Sequence, residues 1–389
     1  MINLMQTGDT LGSIIWFLMF FVFIFIYPRL MLSQMIYKIE QSARKLEQMS
    51  EHSNKMTAKK ISKTPNKELK EKVDEFTDFF VVEPSNIDPY GLVDKIDRTI
   101  RNMESRFDDF VDEVAPGKNK QEKREINYGL RASMGLRQIS KIVRHYVEMA
   151  KKFKNLQIAM IIQMQLPIIE KIAEGELKGT EAFVNGWPIG DSIGPLVAAS
   201  YMNNGKEIAE DIVYDRVIIN GRVCHVLKAS GPEPSLGRID EAMVKIMKRK
   251  KIAHIVTIDA AQKLEGEKTG TVSEGVGFAM GGIGQREIIE NILLPQKKTI
   301  DSIVIKVGMV EAIMPMRKDV YDSLPKVRTK VEKSVGRAKK GQHVLVIGVG
   351  NSCGVGNSKK VVDEVKKVVD TLEKKYKLEE SKKKKKGWI

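Results

Sequence analysis

Ala253-His254-Ile255-Val256-Thr257-Ile258-Asp259 is an apolar, β-branched run that ends on a carboxylate. It does not alternate polar with apolar, which is the pattern of a strand covered on both faces. Two further runs of this kind follow, Ser302–Val307 and Val344–Ile347. Helical patterns lie between and after them, at about 237–250, from Gly281–Gly284 through Leu294, at about 317–339 and at about 358–376. Ser235 is placed to cap the first of these helices. Upstream, Val217–Ile219 and Val223–Leu227 flank Asn220-Gly221, a pair suited to the two positive φ angles of a tight hairpin. Strand alternating with helix predicts an α/β layer fold with a mainly parallel sheet over 179–378.

In open α/β sheets ligands gather at the carboxyl ends of strands. Asp259 stands at such an exit. A second carboxylate follows Phe183-Val184, in Asn185-Gly186-Trp187-Pro188-Ile189-Gly190-Asp191-Ser192-Ile193-Gly194-Pro195-Leu196-Val197. Taken singly, Asp191 reads as an N-cap and Asp259 as a turn former. Taken as a pair they suit acid–base chemistry. Two close carboxylates cannot both ionise cheaply, so they share a proton; one can then activate water while the other protonates a leaving group. The same pair could instead hold a divalent metal, with Glu274 or Glu311 as a further ligand. No His/Cys spacing suits zinc, and His225 and His254 read as ordinary sheet residues.

Gly190-Asp191-Ser192-Ile193-Gly194-Pro195-Leu196-Val197 resembles the segment around the first catalytic aspartate of the bacterial spore germination protease. Ile258-Asp259-Ala260 resembles the segment that carries its second. In the same order, Thr269–Val276 and Gly281-Gly282-Ile283-Gly284-Gln285-Arg286 are similar to that family's Thr-rich strand and Gly-rich turn. Ile303–Ala312 is similar to its next strand and exit loop. The resemblance covers about 185–313. It implies a three-layer phosphorylase/hydrolase-like α/β fold, shared with hydrogenase maturation proteases. It also implies catalytic roles for Asp191 and Asp259, a polypeptide substrate, and binding roles for Gly190, Gly194, Glu274, Gly282, Gly284 and Arg286. One departure stands out. The Gly-x-Gly-Asn strand expected just before the first aspartate is absent there, and Val344–Asn351 carries that pattern near the C-terminus instead. A circular permutation, with the last strand in the first strand's slot, accounts for both. The whole chain also resembles an archaeal membrane-anchored family of unknown function.

A runner-up site is the loop Gly348-Val349-Gly350-Asn351-Ser352-Cys353-Gly354-Val355-Gly356. It follows a strand and precedes a helix, so its backbone amides could cradle a phosphate or nucleotide; a tight turn is the plainer reading. No cofactor is required by either site. The two cysteines, Cys224 and Cys353, form no disulfide framework.

The first half of the chain has a different character. From Leu11 to Tyr27 Tyr27 itself is the only ionisable group, and six aromatic residues precede it. Seventeen residues reach roughly 26 Å as a helix, enough to span a bilayer. A signal peptide would need a basic start and a small-residue cleavage site, and the sequence offers neither. Arg29, Lys38, Arg44 and Lys45 follow the run and no Lys or Arg precedes it, which predicts a single-pass anchor over 11–29 with a cytoplasmic body. Residues 30–82 read as an amphipathic juxtamembrane helix followed by a solvated linker at 50–72. Residues 83–178 read as helical, with one helix over Leu92–Val114 and another run over about 123–175 that Pro167 breaks or kinks. Its Ile- and Met-rich part, Leu156–Ile172, is expected to be buried. The tail, 379–389, is basic, with Lys382–Lys386 suited to loose contact with anionic lipid or RNA. Of 389 residues, 65 are Lys or Arg against 50 Asp or Glu, a net charge of +15 that favours anionic surfaces. No folded nucleic-acid module is visible. A non-catalytic scaffold that recruits partners through the helical region and tail therefore stands beside the hydrolase and phosphate-binding readings.

Overall fold

The computed structural model describes residues 3–81, 91–280 and 299–386, together with 286, 289, 290 and 293. The first half is helical: α1 (Asn3–Phe21), a π-helical turn (Val22–Ile26), α2 (Tyr27–Ile61), α3 (Lys67–Phe76), α4 (Leu92–Val114), α5 (Lys120–Phe153) and α6 (Leu156–Asn185). The chain forms two compact units, Met1–His52 with Gly135–Glu174, and Ser53–Met134 with Gly175–Ile389.

In the first unit, Ile39, Ala43 and Leu46 recur at four- and three-residue steps and are fully buried, the inner stripe of an amphipathic helix. The polar flank is ionic. Arg144 of α5 reaches Glu47 and Glu40 of α2, and Lys151 also reaches Glu40. Hydrogen bonds from Lys151, then Arg144 and Arg44, outweigh burial and hold the Glu40 carboxyl down to about 2. Helices α5 and α6 part at Lys154, whose φ is +47°, and the Asn155 side chain accepts from the Gln157 and Ile158 amides to start α6. The break therefore falls here and not at Pro167, which lies inside α6. The expectation that Leu156–Ile172 is buried holds for one face only: Ala159, Ile162 and Leu166 are buried, while Met160, Ile161, Met164 and Ile168 are exposed.

In the second unit, residues 50–72 do not form a linker. Helix α2 runs through Ile61, and Asn66 caps α3 by accepting the Leu69 amide. The sequence is polar there because the helix contacts are polar. Ser53 shares its hydroxyl with Ser133 and Thr180, and Asn54 donates to Asp74 and Thr77, so these buried donors are paired, while Asn54 Oδ1 is left without a partner among the described residues. Nearby, Phe76 of α3 stacks on Phe110 at 3.9 Å and meets Phe107 edge-on, which ties α3 to α4.

Glu176 of α6 is also in this unit, and burial raises its carboxyl from the ordinary 4.5 to about 7. A raised acid stabilises the fold while protonated, so this stability is complete below about pH 4.5 and is lost as pH rises through 7. Glu176→Gln should match the parent near pH 4 and exceed it by about 2–3 kcal/mol at pH 8. Denaturation midpoints across that range would read the difference, and a pH-independent gap would contradict this account.

The sheet has seven strands: β1 (Lys206–Ala209), β2 (Ile212–Ile219), β3 (Arg222–Ala229), β4 (Ile252–Gln262), β5 (Val272–Val276), β6 (Thr299–Val307) and β7 (His343–Gly348). Their spatial order is β1-β2-β3-β7-β4-β6-β5. The β3–β7, β7–β4 and β4–β6 pairs are parallel, and the other three are antiparallel, so the sheet is mixed, with parallel pairing confined to its centre. The hairpin forms as the sequence predicts, with Asn220 and Gly221 at φ of +49° and +76°.

Helices cover both faces. Val344 and Val346 of β7 point to one core with α7 (Ile193–Ala199), α10 (Leu324–Val335) and α11 (Val361–Lys386). Leu345 and Ile347 point to the other, with α8 (Ile239–Arg249). The expected helix at 317–339 is two pieces, α9 (Lys318–Tyr321) and α10, because Ser323 bonds back to Val320 and Pro325 starts the second. Ser235 does not cap α8; its hydroxyl donates to Asp211. Phe183 and Val184 end helix α6 and are not a strand.

Candidate active site

Asp191 lies in a 3₁₀ turn, Gly190–Ser192, between α6 and α7. Three close approaches fix the turn. The Asp191 amide donates to Ala312 O at 2.8 Å. A Cβ on Gly190 would stand 2.1 Å from Glu311 O, so only glycine lets the two chains pass. A Cβ on Gly194 would stand 2.0 Å from Val349 O and 2.6 Å from Ile258 O, which seats α7 on the exits of β7 and β4.

The glycine loop after β7 completes the seat. Gly350 has φ of +122°, and a Cβ there would lie 2.2 Å from Asp191 O and 3.2 Å from its carboxyl carbon. The next amide, Asn351 N–H, donates to Asp191 Oδ2 at 2.7 Å. Val349 N–H donates to Ile258 O, the residue before Asp259. The displaced Gly-x-Gly-Asn strand thus pairs in parallel with β4 and delivers its exit loop to Asp191.

Asp191 and Asp259 line one cavity of about 400 Å³. Asp259, at the carboxyl-end side of β4, is 7% exposed. Asp191 keeps a partly exposed edge on the cavity while protein atoms surround the rest of it. Burial raises its carboxyl above the ordinary carboxylate range, and the Asn351 amide offsets this only in part. Oδ2 accepts that amide, which leaves Oδ1 as the oxygen open to a proton.

Val349 and Gly350 of the glycine loop also line it, and most of the rest comes from segments the sequence did not mark. Helices α4 and α5 contribute Asp97, Ile100, Glu104, Asp108, Arg124 and Tyr128; the Ser235–Ile239 loop contributes Leu236 and Arg238. Arg238 donates to Asp97 at 2.6 Å and to Asp240 at 2.9 Å, and Arg124 donates to Asp211 at 2.8 Å. Burial opposes ionisation of Asp97, but Arg238 and Arg101 hold its carboxyl below the ordinary range. Seven carboxylic acids line the cavity against two arginines, a local acidity opposite to the basic whole chain. The available signal was position: Ser230–Arg238 is also the exit of a central strand, β3.

Other predicted site residues lie elsewhere. Glu274 is exposed and paired with Lys330 at 2.5 Å. Glu311 accepts from Gly308 N–H and Thr269 and pairs with Arg317. Neither lines the cavity, and among the described residues no group of three or more His, Cys, Asp or Glu is arranged to hold a metal ion. Arg286 is exposed and paired with Glu290, while Gly282 and Gly284 lie outside the described residues. Gly348 packs on Gly194, Gly354 packs on Pro188, and Gly356 sits near Val361. Most amides of the phosphate-loop candidate are engaged within the protein: Ser352 with Ser235 O, Cys353 with Asn351 Oδ1, Gly354 with Pro232 O, Val355 with Ser352 O. Helix α11 starts only at Val361, beyond the loop.

A family model described as "Protein of unknown function (DUF1512) N-terminal domain" matches residues 13–186, and "Domain of unknown function (DUF1512) C-terminal" matches 189–356. No curated protein matches. A crystal structure of a protein of unknown function from Corynebacterium glutamicum ATCC 13032 is similar over 44% of this chain and 67% of that one, with 15% identity and a TM-score of 0.21, too low to carry an argument.

Proposed function

The chain belongs to the DUF1512 family, and from the acid pair in its C-terminal domain we propose that it is a membrane-tethered hydrolase of polypeptide amide bonds. The observation that carries this reading is that Asp191 and Asp259, from separate elements, line one cavity at the carboxyl ends of the central strands. Asp259 takes a proton from water, whose oxygen attacks the amide carbonyl. Asp191, whose protonated form burial favours, gives its proton to the departing nitrogen. The acid-rich walls favour a segment bearing a cationic side chain. A phosphorylase/hydrolase-like fold in permuted order agrees with β7 beside β4. The test is hydrolysis of an unfolded Lys- and Arg-rich polypeptide carrying a quenched fluorophore. A full-length chain that releases no fluorescence at any pH between 4 and 8 would sink the reading.

The tether is the N-terminal helix. Among the described residues two helices are long and apolar enough to cross a membrane, the one through Gly12–Ile61 and α6. The first has its apolar part wholly exposed, as lipid contact requires, and the Lys and Arg that follow it support a cytoplasmic body. Deleting residues 1–32 should move the protein from the membrane pellet to the supernatant at high salt. Salt removes only electrostatic attachment, so a truncated chain that still pellets would mean a second insertion.

A further inference from the structure

The outward face of α6 has no partner among the described residues of its unit that accounts for its composition. Ile161 is 59% exposed and Met164 67%, with Met160 and Ile168 beside them at helical spacing. Phe153, at the end of α5, is 58% exposed. An apolar stripe of this kind marks a binding surface.

The ion pairs within this unit fix where the stripe lies along α2. Ser42 and Lys45 bond Glu170 at 2.7 Å, and Lys45 bonds Glu174 at 3.1 Å. Leu156 lies fourteen residues before Glu170, so at 1.5 Å per residue it stands about 21 Å nearer the N-terminal end of α2, level with about residues 28–31. Helix α5 agrees. As it advances from Arg144 to Lys151, its partners on α2 retreat from Glu47 to Glu40. The α5–α6 turn therefore points toward the end of the apolar N-terminal run. Lys151, which bonds Glu40, and Lys152 and Lys154 flank Phe153 in the sequence, with the Lys152 ammonium 5.6 Å from its ring. Lysines around an exposed aromatic residue suit a headgroup layer, where the ring enters lipid and the ammonium groups meet phosphate.

We propose that the α5–α6 hairpin docks on the anionic bilayer surface and seats Phe153, Met160, Ile161 and Met164 among headgroups and upper acyl chains. This rests on the reading of the N-terminal helix as a membrane anchor. A lipid occupant fits better than a second copy because the start of the apolar stripe and the lysines lie toward the end of the unit from which the anchor leaves.

The experiment uses the full-length chain in phosphatidylglycerol-containing vesicles, with single cysteines placed in turn at Leu18, Phe153, Ile161, Ile168 and Ile218 and labelled with a fluorophore. Native Cys224 and Cys353 are buried and stay unlabelled. Spin-labelled lipid should quench Leu18 most, Phe153 and Ile161 by about two-fold or more, Ile168 less, and Ile218 of the β2–β3 hairpin not at all. Lys152→Glu with Lys154→Glu should cut the quenching at Phe153 while leaving Leu18 unchanged. Quenching at Leu18 without any at Phe153 and Ile161 overturns the docking and leaves the anchor standing. No quenching at Leu18 overturns the anchor and the docking with it. Cross-linking between chains through position 161 would identify a second copy as the occupant and overturn the proposal.

Discussion

Asp191→Asn and Asp259→Asn are each expected to lower hydrolysis by about 100-fold or more, with the double variant little worse than either, because the two residues act as a unit, one as base and one as acid. The asparagine at 191 keeps an oxygen to accept the Asn351 amide, so the turn survives. Stability should separate catalysis from collapse. Burial raises the Asp191 carboxyl, so the parent binds this proton more tightly folded than unfolded. Its contribution is complete below the ordinary carboxylate range and is lost as pH rises through the raised value. Asp191→Asn should therefore melt at or above the parent temperature at neutral pH and lose that advantage in acid. Parallel rate and melting measurements check both parts. A variant that loses activity only by unfolding, or one that keeps full activity, removes Asp191 from the mechanism.

The central strands were legible because each leaves a one-dimensional trace. Ala253–Ile258 and Val344–Ile347 are apolar on both sides, and Asn220-Gly221 needs no tertiary context to form its turn. What escaped was every feature whose cause lies across space. The parallel pairing of β7 with β4 could be guessed only from the displaced Gly-x-Gly-Asn pattern. The helical wall of the cavity could not be guessed at all, because Asp97, Arg124 and Arg238 look like ordinary surface charges until they meet. Residues 50–72 failed for a related reason. A helix that buries Ser53, Asn54 and Thr57 against other polar groups has the composition of a linker. Glu274 was assigned from the resemblance of its strand and as a possible metal ligand beside the carboxylate pair, yet β5 is an edge strand that carries it to Lys330. The glycines of 348–356 read as a phosphate cradle by spacing; most serve close packing instead.

Gly194→Ala is the substitution expected to damage the site most for the least change in chemistry. One methyl group would have to stand 2.0 Å from Val349 O and 2.6 Å from Ile258 O. Ile258 lies in β4 and its carbonyl accepts the Val349 amide just past β7, so moving either residue breaks that bond at the sheet centre, and α7 must lift. The residues of α7 are fully buried, and lifting it uncovers Ile193, Leu196 and Val197. The cost should be about 3 kcal/mol or more, at the upper end of overpacking. The same movement carries Asp191, three residues earlier, away from Gly350 and the Asn351 amide, so hydrolysis and the raised Asp191 titration should fail together. Gly356→Ala is the matched control: its nearest neighbour, Val361 Cγ2, would lie 3.8 Å from the new methyl, an ordinary contact. It should shift the melting temperature by a degree or less. If the two alanine variants melt alike, α7 is not wedged on the exits of β4 and β7. The shared seat that brings Asp191 and Asp259 to one cavity would then lose its physical basis.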